Sequence, residues 1–369
     1  MTEAEGITYA DAGVDIHAGD KAVELMKSAV ARTHGPEVLG GVGAFAGLFD
    51  ASALLGYKRP LLASSTDGVG TKIVIAQAMG IHDTIGRDLV AMVVDDIVVC
   101  GAKPLLMTDY IACGRVVPER IADIVRGIAE GCIEAGVALV GGETAEHPGV
   151  MGEDEYDVAG AAIGVVEAEK LLGPEKVRAG DLVIAMASSG LHSNGYSLVR
   201  SIVASQGWTL ETYAPELTRS LGAELLEPTR IYAKLCAALA DSVPGLHAFS
   251  HITGGGLAAN LARVLPKGLA ATVARDSWAL PAIFALLQDA GKVPWSDLES
   301  TLNLGVGMVA VVTPGDAAAV VEASGASGVA AWVIGEVAPD PGRPTSPDVI
   351  RGAKGVDGGA VVLTGAYQV

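Results

Sequence analysis

Apolar and polar positions recur along this chain in two patterns, and each predicts a different element. The clearest helical pattern covers residues 118–135, where the apolar side chains at 121, 124, 125, 128 and 132 share one stripe and Pro118 stands at the start. Similar spacing predicts helices over about 19–33, 85–100, 194–206, 228–240 and after the glycines at 254–256. Short apolar runs predict strands at about 60–66, 105–112, 137–140, 157–167, 182–187, 246–250, 306–313 and 330–337.

This succession of strands and helices predicts an α/β (α+β) fold with two domains, each a mixed sheet packed against helices. The polar, turn-rich segment 171–181 predicts the boundary, so that the first domain covers 1–172 and the second 173–338. Residues 339–369 are rich in Pro and Gly and are predicted to form a poorly ordered tail.

Composition narrows the class of protein. Half of the 369 residues are hydrophobic but only 4% are aromatic, which favours an aliphatic α/β core and excludes a disordered chain. The net charge of −18 argues against a nucleic-acid partner. No apolar run is long enough to cross a membrane, and the acidic first residues do not resemble a secretory signal. Four widely spaced cysteines fit a reducing cytoplasm, so we expect a cytoplasmic protein.

The 48 glycines are clustered, and one cluster follows the first predicted strand as Thr66-Asp67-Gly68-Val69-Gly70-Thr71-Lys72. Glycines let backbone N–H groups approach an anion, while Lys72 would add a charge and Asp67 could hold a metal. A strand-ending turn with a surface lysine explains the same residues, and the spacing does not decide between the two.

Two acids interrupt the apolar helix at 85–100. Asp96 lies seven residues after Leu89 and three after Val93, which predicts that its side chain faces the core. A buried carboxylate needs a cation or hydrogen-bond donors. A helix N-terminus or Arg87 would serve, and so would Mg²⁺ held by Asp96 together with Asp67 and Glu143.

Glu143 belongs to a Gly-Gly-Glu-Thr segment after a predicted short strand. The carboxylate is expected to face a ligand at the end of that strand, or the segment is a turn in which Thr144 caps a helix.

A second cluster of polar groups, at 188–197, contains Ser189, His192, Ser193 and Asn194 between a strand and a helix. Ser193 or Asn194 could cap that helix, whose N-terminus attracts anions, and His192 could donate to a phosphate or move a proton. His251, followed by Thr253 and Gly254, has a similar arrangement of strand, histidine, glycine loop and helix.

Taken together and in order, six segments resemble the phosphoribosylformylglycinamidine cyclo-ligase family, also called aminoimidazole ribonucleotide synthetase. The resemblance runs from about residue 9 to about residue 334 and rests on STDGVGTK (65–72), HDTIGRDLVAMVVDDIVVCGAKPL (82–105), AEGCIEAGVALVGGETAEHPG (129–149), SSGLHSNGYSLVR (188–200), PTRIY (228–232) and HITGGGLAANLARVLP (251–266). DGVGTK alone is similar to a wider superfamily that includes selenophosphate synthetase and thiamine-monophosphate kinase.

The resemblance implies an ATP-dependent ring closure in purine biosynthesis, in which a phosphorylated formyl oxygen leaves as an amine of the ribonucleotide substrate attacks. It also implies ATP and Mg²⁺ as ligands and a homodimer that forms through the N-terminal domains. The implied sites are catalytic (His192, Asp96, Lys72), ATP- and phosphate-binding (Lys27, Asp67, Gly68, Gly70, Thr71, Lys72, Glu143), substrate-binding (Ser189, His192, Ser193, Asn194, Thr253, Gly254) and metal-binding (Asp67, Asp95, Asp96, Glu143). Lys27 is assigned by the resemblance alone.

Two positions depart from the family pattern, since Asp95 stands where Asn is usual and Lys103 where Glu is frequent. The alternatives are a selenophosphate synthetase-like enzyme, a small-molecule kinase, or a nucleotide-binding scaffold without catalysis. The glycine loop GGVGAFAG at 40–47 has no cysteine, which argues against the first.

Overall fold

A computed structural model describes residues 9, 12–41, 43–352 and 355–368 of the chain. Its helices are α1 (Ile16–Ala31), α2 (Ile73–Met79), α3 (Thr84–Val98), α4 (Pro118–Ala135), α5 (Tyr196–Ser205), α6 (Leu221–Leu225), α7 (Ala233–Ser242), α8 (Gly256–Arg263), α9 (Ala282–Gly291), α10 (Trp295–Thr301) and α11 (Ala317–Ala326). Its strands are β1 (Val38–Leu39), β2 (Leu48–Phe49), β3 (Pro60–Gly68), β4 (Lys103–Cys113), β5 (Ala138–Glu146), β6 (Tyr156–Glu167), β7 (Leu182–Ala187), β8 (Tyr213–Ala214), β9 (Arg219–Ser220), β10 (Leu246–His251), β11 (Leu269–Ala274), β12 (Val306–Val312), β13 (Ala331–Pro339), β14 (Val349–Arg351) and β15 (Ala360–Thr364). None of the described helices is both long and apolar enough to span a bilayer.

The N-terminal half is built on a four-stranded mixed sheet with the order β3-β6-β4-β5, in which only β4 and β5 run parallel. Along β6 the residues are alternately buried and accessible, because one face of the sheet is covered by helices and the other is open. The open face carries exposed apolar side chains, among them Leu62, Tyr110 and Ile163.

Helix α3 lies against the covered face of this sheet and is enclosed on several sides. Glycines let α4 approach it closely, since a Cβ added to Gly86 would lie 2.2 Å from the backbone nitrogen of Ile128. On the sheet side, a Cβ added to Gly160 would lie 3.3 Å from Leu89. The segment before α7 contacts α3 from the C-terminal half. A helix enclosed in this way is apolar around most of its circumference.

The C-terminal half contains a seven-stranded mixed sheet with the order β10-β12-β7-β13-β11-β15-β14. Every residue of β12 is buried, because helices cover both faces of the sheet. Two-sided burial explains why its strands read as continuous apolar runs in the sequence rather than as alternating ones.

The prediction of a poorly ordered tail at 339–369 is wrong for the described residues. Strand β15 runs parallel to β11 and antiparallel to β14, so the tail extends the large sheet. Residues 360–363 are buried against the C-terminal core. Pro and Gly occupy the connections, while a short apolar run, Ala360–Thr364, forms the strand that supplies the burial. Residues 353, 354 and 369 lie outside the described part of the chain.

The predicted mixed α/β architecture is confirmed, and most predicted elements differ from the structure only at their ends. Two differences matter for function. Strand β5 continues to Glu146, so the Gly-Gly-Glu-Thr segment lies within a strand and Thr144 caps no helix. The helix expected over 228–240 begins at Ala233, because residues 229–232 precede the helix and are hydrogen-bonded to α3.

Candidate functional site

The two polar loops singled out in the sequence contact each other between the two halves of the chain. The hydroxyl of Ser193 donates to the carbonyl of Val69 over 2.7 Å. The hydroxyls of Thr71 and Ser197 are 3.2 Å apart. Gly70, at φ 71°, starts the short 3-10 helix that turns the chain after β3 into this contact. The structure therefore brings loop 67–72 and loop 188–197 together.

Lys72 lies beneath this contact and is fully buried. Its Nζ donates to Oδ1 of Asp88 over 2.8 Å, to the carbonyl of His192 over 3.1 Å and to the carbonyl of Glu227 over 2.6 Å. Burial lowers the pKa of Lys72, and the Asp88 charge opposes that shift. Because an ammonium group has three N–H donors, all of them are used. In this structure Lys72 therefore lies inside the protein, and its phosphate-binding and catalytic roles stay predictions.

His192 occupies a left-handed backbone conformation with φ 62°, which is uncommon for a residue with a side chain. The ring is 2% exposed, and its Nε2 accepts a hydrogen bond from the backbone N–H of Ser189 over 3.1 Å. Burial, followed by the charges of His251 and Lys72, holds the pKa of His192 well below its usual value. The neutral ring therefore carries its proton on Nδ1, which has no hydrogen-bond partner among the described residues.

Of the other predicted substrate residues, Ser189 and Asn194 belong to loop 188–197, and Thr253 and Gly254 belong to a different loop. Ser189 donates to the carbonyl of Pro228 over 2.6 Å, and Asn194 is half-buried. Thr253 and Gly254 form the loop between β10 and α8, where the side-chain amide of Asn260 donates to the Thr253 carbonyl over 3.2 Å. Ser189 and Ser193 thus use their hydroxyl protons within the protein and keep oxygen lone pairs that can accept.

Asp95 is buried at 0% exposure, and both of its carboxylate oxygens accept from the backbone N–H of Tyr232, at 3.0 and 3.1 Å. Tyr232 immediately precedes α7, so the carboxylate sits at a helix N-terminus, where negative charge is favoured. Burial raises the pKa of Asp95 to about 7. The structure thus supplies a structural partner for Asp95, a helix N-terminus, while its role as a metal ligand stays a prediction.

Asp96 does not face the core, since 45% of its side chain is exposed. Its stripe on α3 does face the sheet, but Asp96 lies in the last turn, where the helix reaches the opening beside β3. There Oδ1 of Asp96 accepts from Nδ1 of His251 over 2.8 Å. The predicted burial of Asp96 is wrong because the last turn of α3 borders this opening.

This opening is a cleft of about 300 Å³ between the free edge of β3, the end of α3, and β10 and α8 of the C-terminal half. Its polar walls are formed by Ser64, Ser65, Asp96, Ser250, His251, Asn260 and Arg263. Nε2 of His251 has no hydrogen-bond partner among the described residues. Burial alone would lower the pKa of His251, but the hydrogen bond to Asp96 and the charges of Asp95 and Asp67 raise it.

The cleft combines acidic oxygens with cationic and neutral donors, which suits a phosphate group accompanied by a hard cation. Sequence reasoning noted His251 but assigned it no role, and it missed Asn260 and Arg263. The signal was present, because α8 follows the His251 loop directly and Asn260 and Arg263, three residues apart, lie on the same face of it.

Glu143 lies elsewhere. It is exposed on β5, opposite Tyr110 on β4, whereas Asp67 is on β3 at the other edge of the sheet. Three strand spacings separate the two strands, which amounts to about 14 Å. The four predicted metal ligands therefore do not converge in one protomer. Within the described part of the chain, no three His, Cys, Asp or Glu side chains are close enough together to hold a metal ion by themselves.

A second cavity, of about 270 Å³, lies between α1, the glycine segment around residues 43–47 and β5. Val23 and Met26 line its apolar side, and Asp109 lies in its wall. Lys27, the residue after Met26, is exposed and forms an ion pair with Glu24, with 2.6 Å between its Nζ and Oε2 of Glu24. A Cβ added to Gly142 would lie 2.1 Å from Oδ1 of Asp109, so glycine at 142 makes room for this carboxyl.

Burial raises the pKa of Asp109 to about 7. Sequence reasoning missed Asp109 because it falls inside an apolar strand, where nothing local distinguishes it.

Comparison with known proteins agrees with this architecture. Residues 49–166 match the family described as AIR synthase related protein, N-terminal domain, and residues 178–344 match the corresponding C-terminal domain. The chain is 53% identical over 331 residues to the phosphoribosylformylglycinamidine cyclo-ligase of Geobacillus kaustophilus, which covers 89% of this chain and 95% of that protein. It is 50% identical over 345 residues to the protein of the same name from Anaeromyxobacter sp., covering 94% and 99%.

Among solved structures, thiamine-monophosphate kinase from Stenotrophomonas maltophilia superposes with a TM-score of 0.65 at 21% identity, covering 93% of this chain and 96% of that one. The hydrogenase maturation protein HypE in complex with ATP superposes with a TM-score of 0.60 at 16% identity, covering 90% and 89%. At these identities the likeness concerns the fold.

Proposed function

Because the chain belongs to the phosphoribosylformylglycinamidine cyclo-ligase family, it is an ATP-dependent ligase of purine biosynthesis, and we propose that its ring closure takes place in the cleft between β3, β10 and α8. The reaction closes formylglycinamidine ribonucleotide to aminoimidazole ribonucleotide and releases ADP and phosphate. The observation that carries the location is the Asp96–His251 pair, which lines the polar cleft. Nε2 of His251 is buried and has no hydrogen-bond partner among the described residues.

The chemistry requires an oxygen to leave from an amide-like carbon. Transfer of the γ-phosphoryl group to the formyl oxygen turns it into a phosphate ester and releases ADP. The substrate amine then attacks that carbon, the carbon–oxygen bond breaks as phosphate leaves, and the attacking nitrogen gives up its proton. Charge accumulates on the phosphoryl oxygens, so fixed cationic donors supply much of the stabilisation. In the proposed site, protonated His251 donates from Nε2 to a phosphoryl oxygen while Asp96 holds its Nδ1–H, and Arg263 adds a second cation.

Binding in the cleft also holds the amine and the formyl carbon of one substrate in a closed conformation. This positioning removes entropy from the ring closure before the chemical step. His192, neutral and with its proton on Nδ1, is suited to donate a hydrogen bond rather than to accept a proton. We therefore propose His192 as a hydrogen-bond donor to the substrate.

Asp96 lines the cleft and suits Mg²⁺, because a magnesium ion is commonly bound by one or two carboxylates together with substrate phosphates. Asp67 is close enough for its charge to raise the pKa of His251. We assign Asp67 and Asp96 as the residues that would hold Mg²⁺, without Asp95 and Glu143. When bound, the ion would neutralise phosphate charge.

We further propose that the apolar cavity beside α1 receives the nucleotide, with Lys27 at its margin and the glycine segment around residues 43–47 over it. The cavity lies at the β5 edge of the sheet and the cleft at the β3 edge, so ligands bound in both are far apart within one protomer. In a dimer, the cavity of one protomer can face the cleft of its partner and bring the two ligands together. The exposed apolar residues on the open face of the sheet, Leu62, Tyr110 and Ile163, support a homodimer formed through this face.

The test is an assay with synthetic formylglycinamidine ribonucleotide and Mg-ATP that measures released phosphate and aminoimidazole product in parallel. We expect wild type to produce both in equal amounts and His251→Gln and Asp96→Asn to lose about 10²-fold or more in kcat. Asp241→Asn, which alters an exposed acid of α7, is the matched control and should keep full activity. Full activity of both cleft variants would refute the assigned location, and phosphate without product would indicate a kinase-like reaction instead.

The dimer is tested separately by light scattering. Ile163→Arg places a charge on the open face and should give monomers, whereas Ile133→Arg, an exposed apolar position on α4, should leave the oligomeric state unchanged. If the wild type is a monomer, the proposed dimer is wrong.

A further inference from the structure

Lys72 joins three parts of the chain that are far apart in sequence. Its three bonds reach Asp88 of α3, the carbonyl of His192 in the loop after β7, and the carbonyl of Glu227 before α7. We propose that Lys72 is a positioning residue that holds the His192 loop at the orientation used in the reaction. This inference rests on the proposed function, because it takes His192 as a group that contacts substrate.

The His192 loop needs such an anchor because its backbone is strained. A left-handed conformation at a residue with a Cβ persists only where the surroundings impose it. Lys72 binds the carbonyl of this same residue, and the next residue, Ser193, binds Val69. Two consecutive residues of the loop are thus bonded to the segment 69–72 of the N-terminal half.

The space around the ring allows little movement. A Cβ added to Gly307 would lie 2.4 Å from Cε1 of His192 and 2.1 Å from the hydroxyl oxygen of Tyr232. That hydroxyl is itself bonded to the carbonyl of Ala187 over 2.7 Å. A small shift of the His192 backbone therefore forces the ring against β12 or Tyr232, and its Nδ1–H changes direction.

Asp88, the carboxylate partner of Lys72, is itself held by the segment before α7. Besides Lys72, its Oδ1 accepts from the backbone N–H of Thr229 over 2.8 Å and from the Thr229 hydroxyl over 2.5 Å. Asp95, seven residues further along α3 and so on the same face, binds Tyr232. Asp88 and Asp95 of α3 thus both accept hydrogen bonds from the segment 229–232. Lys72 donates to Asp88 and to the carbonyl of His192, so it joins this segment to the His192 loop.

A simpler role for Lys72 would be to neutralise Asp88, and the two roles predict different behaviour. Lys72→Met leaves the Asp88 carboxyl buried without its cation, which lowers stability under either role. The double variant Lys72→Met/Asp88→Asn buries no unpaired charge, and the amide oxygen of Asn can still accept from Thr229. It removes only the donor to His192 and Glu227.

We expect the single variant to have a lower melting temperature and the double variant to recover most of that loss. The kcat of ring closure should remain reduced by about 10- to 100-fold in the double variant, because small displacements of reacting groups cost rates of that order. The KM for ATP should stay unchanged. Lys21→Met, which breaks an exposed ion pair with Glu119, is the matched control and should behave as wild type.

A second readout does not depend on activity. In wild type, the ¹⁵N resonances of the His192 ring should show the neutral tautomer protonated on Nδ1, and they should shift in the double variant while those of His82 do not. Wild-type kcat together with unshifted His192 resonances in the double variant would overturn the proposal. If wild type itself closes no ring, the proposed function fails, and the resonance shift still decides whether Lys72 positions the loop.

Discussion

The C-terminal strand β15 offers a direct test of the packing in the tail. Val361 lies in its middle, pairs with Ala271 of β11 and is fully buried. Val361→Ala removes two methyl groups from this site. At about 0.8 kcal/mol for each group, the lost burial amounts to about 1.6 kcal/mol, and the cavity left behind raises the total to about 2–3 kcal/mol.

The matched control is Val356→Ala, in the same tail and of the same residue type but 42% exposed. It should change the free energy of unfolding by less than about 0.5 kcal/mol. Urea unfolding followed by tryptophan fluorescence measures both, since Trp278 and Trp295 contact Tyr367 at the end of the tail. A loss below about 0.5 kcal/mol for Val361→Ala, equal to that of the control, would show that the strand does not pack in solution.

Three further predictions concern the N-terminal half and its contact with α7. Gly86→Ala should lower the free energy of unfolding by about 1–3 kcal/mol or more, because the new methyl group forces α3 away from α4. Gly325→Ala, which has open space around it, should not destabilise the protein, and thermal unfolding compares the two variants. Asp95→Asn should retain stability because an amide oxygen still accepts from Tyr232, whereas Asp95→Leu should cost about 1–3 kcal/mol in urea unfolding. Burial lowers the pKa of His82, so the unfolded state binds a proton at a higher pH than the folded state does. The free energy of unfolding should therefore fall as the pH drops below about 6.5. His82→Gln should reduce that fall, and an unchanged pH profile in the variant would contradict the prediction.

The sequence was a reliable guide wherever local patterns decide the structure. Helix α4 begins and ends where its stripe and Pro118 indicate, because one of its faces packs on the sheet and the other meets solvent. The sequence indicated that loop 67–72 and loop 188–197 serve one function, because both belong to the family segments, but it did not predict that they touch. Their contact depends on how the two halves pack, which no local pattern encodes.

The sequence failed where burial comes from several directions. Asp95 and Asp96 are neighbours in an apolar helix, yet one caps α7 and the other borders the cleft, since α3 is enclosed by the sheet, by α4 and by residues 229–232. Lys72 looked like a surface lysine or a phosphate ligand because its partners are 16, 120 and 155 residues away. Glu143 and Asp67 looked like members of one site because sequence order does not reveal strand order.

By itself, the sequence determined the mixed α/β class, most helices and strands, the family, and which loops carry polar chemistry, since periodicity and motifs are local properties. Only the tertiary structure decided which carboxylates meet. It assigned Asp96 and His251 to one cleft, Asp95 to the support of α7, and Lys72 to an internal anchor. The physical reason is that a buried charge takes its role from the partners that the fold brings to it, and those partners lie on other elements.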